Sequence, residues 1–181
     1  MKKLIIALAI CFALTSVTWA QSVPALDQGT KELKLYGSYD GNHPLDYSLI
    51  LAGGFGYFVM DNLGLTGILG WQSNDLADAL ELGLVADYHF NLGSPWVPFL
   101  ELGVLYAAVE IDDDVYNVSS EPDEDAWLAR FGAGVKYFVT DNVAISLTGI
   151  YDYATADIYA TQGGSLKDYN WKALLGVSFY F

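Results

Sequence analysis

The chain is nearly free of cysteine and poor in histidine and in basic residues. Cys11, His43 and His89 are the whole thiol and imidazole complement of 181 residues, and 8 Lys and Arg stand against 22 Asp and Glu. Each shortage excludes something. Cys11 lies in a segment built like a secretory signal: Lys2 and Lys3, an apolar run from Leu4 to Leu14, then Thr18-Trp19-Ala20 before Gln21. Ile10 stands where a lipoprotein would need a small residue ahead of its lipidated cysteine, so that reading is rejected. The expected organisation is therefore a cleaved signal at 1–20 and a single domain at 21–181. Such a domain has no thiol, which excludes disulfides, thiolate catalysis and cysteine–metal sites. Without Lys2 and Lys3, six basic residues face 22 acidic ones, a net charge of −16, and that surface repels nucleic acid. Beyond residue 20 no apolar run reaches about 18 residues, so a spanning helix is excluded as well.

What is present is alternation. Along the last eleven residues, Trp171, Ala173, Leu175, Val177, Phe179 and Phe181 fall on one face of an extended chain. Lys172, Leu174, Gly176, Ser178 and Tyr180 fall on the other. An apolar outer row, a more polar inner row and a terminal aromatic describe the last strand of a membrane barrel. The chain also repeats its own grammar. Gly54-Phe55-Gly56-Tyr57-Phe58-Val59-Met60-Asp61-Asn62 returns 80 residues later (141 minus 61) as Gly132-Ala133-Gly134-Val135-Lys136-Tyr137-Phe138-Val139-Thr140-Asp141-Asn142. Asp and Asn tolerate the left-handed backbone of tight hairpins, so each copy reads as strand, turn, strand. A third tight connection is Asn91-Leu92-Gly93-Ser94-Pro95-Trp96, and polar stretches lie at about 40–46, 74–78, 112–126 and 160–168. Three turns alternating with four polar loops need eight strands, expected near 31–39, 46–59, 63–73, 79–90, 97–111, 127–139, 143–156 and 170–181. The expected fold is all-β, an eight-stranded antiparallel up-and-down transmembrane β-barrel.

The charges decide which side faces in. Opposite the apolar rows lie Lys34, Glu81, Asp87, Glu101, Arg130, Lys136, Asp152 and Lys172. A soluble eight-stranded barrel would turn the apolar rows inward and these charges outward; in a membrane barrel they form a polar, mixed-sign interior. Following the strands up and down groups Lys34, Asp87, His89, Glu101 and Lys136 in one layer, and Glu81, Arg130, Asp152 and Lys172 in another. Glu101 and Lys136 are expected to pair directly. Trp71, Trp127 and Trp171 at the loop ends, with Tyr57, Tyr88, Tyr137 and Phe181 at the turn ends, read as two interfacial aromatic girdles.

Three segments, Gly-Tyr-Phe-Val-Met-Asp-Asn-Leu (56–63), Tyr-His-Phe-Asn-Leu-Gly (88–93) and the terminal Val-Ser-Phe-Tyr-Phe, carry a resemblance. They resemble the OmpX/OmpA-like small outer-membrane β-barrels, and the similarity spans essentially the whole chain after the signal. The resemblance implies a Gram-negative outer membrane, with short turns in the periplasm and long loops outside. It implies contact with outer-membrane lipid and lipopolysaccharide, and an assembly signal at Phe179 and Phe181 read by the barrel-assembly machinery. The periplasmic peptidoglycan-binding domain of OmpA is not expected here, because the chain ends with the last strand.

Signals for chemistry are sparse. His89 is followed by Phe90-Asn91, not by the His-x-Ser-Asn of the lipid A deacylase barrels. His43, near Ser38, Asp40, Asp46 and Ser48, is similar to the surface histidine and serine of the lipid A palmitoyltransferase barrel, and reads more simply as a solvated loop residue. Gly54-x-Gly56 and Gly132-x-Gly134 lack the third glycine and helix of a dinucleotide site and are expected to ease packing in a narrow barrel. Asn117-Val118-Ser119 matches a glycosylation acceptor and carries no weight in a bacterial outer-membrane protein. The acidic stretch Glu110 to Asp125 reads first as a solvated loop; Asp112, Asp114 and Asn117 are candidate calcium ligands, without the EF-hand register. No cofactor is expected, and no residue pattern names a surface partner. The expected role is a non-catalytic barrel plugged by its inner charges, with loops that meet the surroundings. A narrow solute channel is the alternative and a lipid A-modifying enzyme a distant third. An apolar-ligand tunnel is disfavoured by the inner charges.

Overall fold

The computed structural model describes residues 26–43, 46–74, 77–111, 124–160 and 166–181. Alternating residues put the chain into long strands: β1 (Lys31–His43), β2 (Asp46–Met60), β3 (Leu63–Asn74), β4 (Ala77–His89), β5 (Trp96–Ile111), β6 (Glu124–Thr140) and β7 (Val143–Ala154). A small two-stranded hairpin, β8 (Tyr159–Ala160) and β9 (Leu166–Lys167), precedes β10 (Tyr169–Tyr180). Eight of these close a barrel in the order β1-β10-β7-β6-β5-β4-β3-β2, every pair antiparallel. Closure is decided at β1 and β10, where Glu32 faces Tyr180 and Gly37 faces Leu175 in register. Without that seam two edges would leave backbone groups without partners in lipid, at several kcal/mol each.

Strand ends differ from the sequence expectation where pairing outruns alternation. β1 continues past residue 39 to His43, held by the pairs Asp40 with Ser48 and His43 with Asp46 across a bulge. β6 begins at Glu124, before residue 127, because Val109 pairs with Glu124 and Ala108 with Asp125. β7 stops at Ala154, where Ala154 N–H donates to the Asp168 carbonyl at 2.6 Å.

The repeated grammar extends to its irregularity. A register shift falls between Phe58 and Met60 before the first Asp-Asn turn, and another between Phe138 and Thr140 before the second. Asn62 takes a φ of 64°, the left-handed backbone that a short side-chain amide tolerates. In the third turn Gly93 does the same at 69°.

The faces separate as the alternation requires. Leu51, Phe55, Leu82, Leu84, Leu147 and Leu175 stand outward and exposed, the apolar band of a lipid-facing surface. Trp71, Trp127 and Trp171 are exposed at the ends joined by long connections, and Tyr57, Tyr88 and Phe181 at the ends joined by tight turns. Inside, the turn end is closed by an apolar cluster of Phe58, Val97, Phe138, Ala144 and Tyr180. Leu26 joins it from outside the strands, 1 % exposed. Its segment is pinned beneath the barrel: Asn62 N–H donates to the Leu26 carbonyl at 2.7 Å and Gly29 N–H to the Phe58 carbonyl at 2.9 Å.

Candidate functional site

Every charged side chain that alternation assigned to the interior lies inside the barrel and is buried: Lys34, Glu81, Asp87, Glu101, Arg130, Lys136, Asp152 and Lys172. Two networks result. Nearer the loop end, the Arg130 guanidinium donates through Nε and Nη2 to both oxygens of Asp152, at 2.7 and 2.8 Å. Nη2 also donates to Glu81 Oε2 at 2.6 Å. Lys172 Nζ closes the ring, 3.1 Å from Glu81 Oε1 and 3.2 Å from Asp152 Oδ2. The bidentate fork fixes geometry as well as charge, and two cations on two carboxylates leave no net charge in this layer.

Nearer the turn end, Lys34 donates to Asp87 Oδ2, which also accepts from Thr66 Oγ1 at 3.0 Å. Lys136 Nζ donates to Glu32 Oε1 at 2.6 Å and to the Tyr180 hydroxyl at 2.8 Å, and lies 2.8 Å from His89 Nε2. Tyr180 donates in turn to Glu32 Oε1 at 2.8 Å. Glu32 Oε2 lies 3.7 Å from Lys34, so one carboxylate bridges both lysines. His89 stacks on Phe99 with ring centroids 5.7 Å apart, and the Lys136 ammonium stands over the same ring.

Three of these partners, Glu32, Thr66 and Tyr180, were missed by sequence reasoning. Glu32 is two residues before Lys34 and so on the same face of β1, a signal present in the alternation. Tyr180 sits in the inner row of the last strand, where its hydroxyl needed a partner.

The expected Glu101–Lys136 pair is replaced by Glu32–Lys136. On β5 and β6 Glu101 lies opposite Gly132, and Lys136 opposite Val97. Four residues of strand separate Gly132 from Lys136, about 13 Å at about 3.3 Å per residue. Adjacent strands therefore present the two charges at different heights. Glu101 takes part in no salt bridge among the described residues. It lies instead against Gly132, where an added Cβ would come within 2.2 Å of Glu101 Cγ. Gly134 makes the same kind of room for Phe99, at 2.6 Å. Glu101 lines a cavity of about 20 Å³ between the layers, with Lys34, Lys136, Ser146 and Thr148, space for about one water.

The interior is not polar throughout. On the loop side of the Arg130 network, Leu105, Ala107, Val109, Ala126, Leu128 and Ala154 make an apolar wall, against which Ile158 and Tyr159 of the β7–β8 connection pack. The signal was the stretch Val104 to Val109, which alternates no polar residue and is apolar on both faces. Among the described residues the buried Tyr159 hydroxyl has no hydrogen-bond partner, nor do Asp87 Oδ1 and His89 Nδ1. Burial, with the Asp152 and Glu81 charges adding to it, pushes the Tyr159 phenol well above its usual range.

His43 falls at the end of β1, paired in register with Asp46. Among the described residues no group of three or more His, Cys, Asp and Glu could hold a metal ion. The signal segment 1–20 and the candidate calcium ligands Asp112, Asp114 and Asn117 lie outside the described residues.

A closed eight-stranded barrel, apolar outside and charged inside, agrees with a match to the outer membrane protein beta-barrel domain over residues 6–179. The chain belongs to that family. The family implies the outer membrane of Gram-negative bacteria. Among solved structures, the N-terminal β-barrel domain of Pseudomonas aeruginosa OprF shares 24 % identity at a TM-score of 0.64, over 85 % of this chain and 98 % of that one. P. aeruginosa OprG is similar at a TM-score of 0.58 and 15 % identity, over 87 % and 98 % of the two chains. Neisserial surface protein A is similar at 0.57 and 18 %, over 84 % and 95 %. These likenesses establish the shared fold. No curated protein matches the chain.

Proposed function

We propose that this member of the outer-membrane barrel family is a non-catalytic anchor whose plugged barrel holds its long connections at the cell surface. The observation that carries this reading is the filled lumen. Arg130, Lys172, Glu81 and Asp152 bind one another across the bore, Lys34, Lys136, Glu32 and Asp87 do so below them, and the cavity between has a volume of only about 20 Å³, room for about one water. Four of the six basic residues after residue 20 are spent in these two networks, where they neutralise carboxylates. Leu26, Phe58 and Phe138 close the turn end with apolar contacts. An eight-stranded barrel is just wide enough for its own side chains to fill, and here they do so.

In this reading residues 1–20 are a cleaved signal, the tight turns face the periplasm, and the long connections face outside. Phe179 and Phe181 are read by the assembly machinery, and the exposed band contacts lipid and lipopolysaccharide. Single-channel recording in a planar bilayer tests it. The plugged anchor is silent or shows only rare brief openings; a steady conductance of solute size would establish the narrow-channel alternative.

A further inference from the structure

The outward row of β2 and β3 is mostly leucine and aromatic, and two glycines interrupt it. Gly53 lies opposite Leu69 and Phe55 opposite Gly67, so the two glycines are diagonal neighbours on adjacent strands. A shallow groove of about 600 Å³ opens over them on the lipid-facing side, bounded by Leu33 and Phe55 on one flank and by Leu82 and Leu84 on the other. Packing within the chain does not require Gly67. A Cβ there would meet nothing nearer than Leu84 Cδ2 and the Phe55 carbonyl oxygen, both at 4.0 Å, whereas one on the inward Gly54 would come within 2.8 Å of Thr66 Cγ2. Glycine weakens a strand interior, and where no neighbour claims the space it marks a close approach from outside the chain.

One end of the groove carries a charge. Leu33 and Phe55 face each other across β1 and β2, and the next outward pair toward the turns is Lys31 with Tyr57. That step is two residues, about 7 Å at about 3.3 Å per residue. Both side chains are exposed. Four of the six basic residues after residue 20 are buried in the lumen; Lys31 and Lys167 are the two outside it, and only Lys31 stands at the turn end. Paired in register where an aromatic girdle marks the membrane surface, an ammonium and a phenol offer two donors to a phosphate. The acidic exterior elsewhere repels one.

We propose that this groove seats one acyl chain of an anionic phospholipid from the leaflet at the turn end, with the phosphate held by Lys31 and Tyr57. Gly67 lies between Phe55 and Leu84 in register, so the trough is the width of a single alkyl chain. The broad face of a second barrel would ride on the two flanking side chains and leave the trough unfilled. Lipid tails are as apolar as leucine, so within the membrane the groove gains only close packing, and the charge at its end selects the lipid. The inference requires that the apolar band lie in lipid, and it holds for a plugged or a conducting barrel alike.

The probe is phosphatidylglycerol, with phosphatidylcholine of the same chains as the zwitterionic comparator. The purified barrel in detergent micelles receives one equivalent of each, and native mass spectrometry reads the lipid retained. One phosphatidylglycerol per barrel is expected, at least ~5-fold above phosphatidylcholine. Lys31→Glu is expected to erase that preference, and Gly67→Leu, which fills the groove, to lower phosphatidylglycerol retention at least ~3-fold. Ala173→Leu, on the outward row of β10, is expected to change neither. One equivalent of phosphatidylglycerol with a nitroxide on its chain should broaden the methyl signals of Leu33 and Leu84 in the wild-type barrel and spare those of Leu147 and Leu175. That readout stands if a variant fails to fold. No preference for the anionic lipid, an effect in only one of the two groove variants, or broadening spread evenly round the barrel each overturns the proposal. So does a lipid-free dimer, which would make a second copy the occupant.

Discussion

Among the ionisable side chains of the lumen, Glu32 and Glu101 differ most in their surroundings. Glu32 is 1 % exposed and bridges two ammonium groups; Glu101 is almost as buried and joins no ion pair among the described residues. Removing one partner of a buried pair strands the other charge, so Glu32→Gln is expected to lower the unfolding free energy by about 3–5 kcal/mol. Glu101→Gln removes no counter-charge and is expected to cost less than about 1 kcal/mol. Urea unfolding in lipid vesicles separates the two, and the reverse order would show that Glu101 is the carboxylate that holds Lys136. Gly132 belongs to the same account. Gly132→Ala forces the Glu101 side chain off its seat and is expected to cost about 1–3 kcal/mol. Pairing it with Glu101→Ala should restore most of that loss, and a double-mutant cycle with no coupling would mean that the two side chains do not contend for the space.

The hairpins are where local chemistry and strand pairing meet. Both Asp-Asn turns follow a bulge at the equivalent position, yet only the first places its asparagine at positive φ. Alanine in the left-handed region is strained, so Asn62→Ala is expected to cost about 1–2 kcal/mol and Asn62→Gly much less. Asn142→Ala, which loses an exposed acceptor for Thr140, should stay within about 0.5 kcal/mol. Equal losses at the two sites would mean that the turns are equivalent despite their backbones. The repeat was legible as a repeat; the difference between its copies was not, because identical Asp-Asn pairs take their φ values from the strands that leave them. In the first turn the segment at Leu26 presses on the backbone of Asn62, a contact from outside the hairpin.

For the barrel as a whole the decisive quantity is depth in the membrane. Leu147 stands outward near the middle of β7, whereas Leu92 is exposed in the turn between β4 and β5. A charged side chain is costly at the hydrocarbon midplane and cheap near the interface. Leu147→Arg is therefore expected to destabilise by about 2–4 kcal/mol and Leu92→Arg by about 0–1 kcal/mol, read from the same vesicle unfolding assay. If Leu147→Arg proved neutral, the exposed leucine band would not be buried in lipid.

Alternation and turn chemistry are local, and what is local could be read directly. The sequence by itself determined the number of long strands, the inward row of Lys34, Glu81, Arg130 and Lys172, and the outward row of Leu82, Leu84 and Leu147, because a strand's period of two sends neighbours to opposite faces whatever the rest of the chain does. Tertiary structure decided height and company. Glu32 meets Lys136 across 104 residues, and Leu26 reaches the turn-end cluster from before the first strand. Tyr159, from beyond β7, packs against an apolar cluster whose residues come from β3 to β7. Those meetings depend on the stagger accumulated around eight tilted strands and on the path of the chain between them, and neither is a property of any single segment.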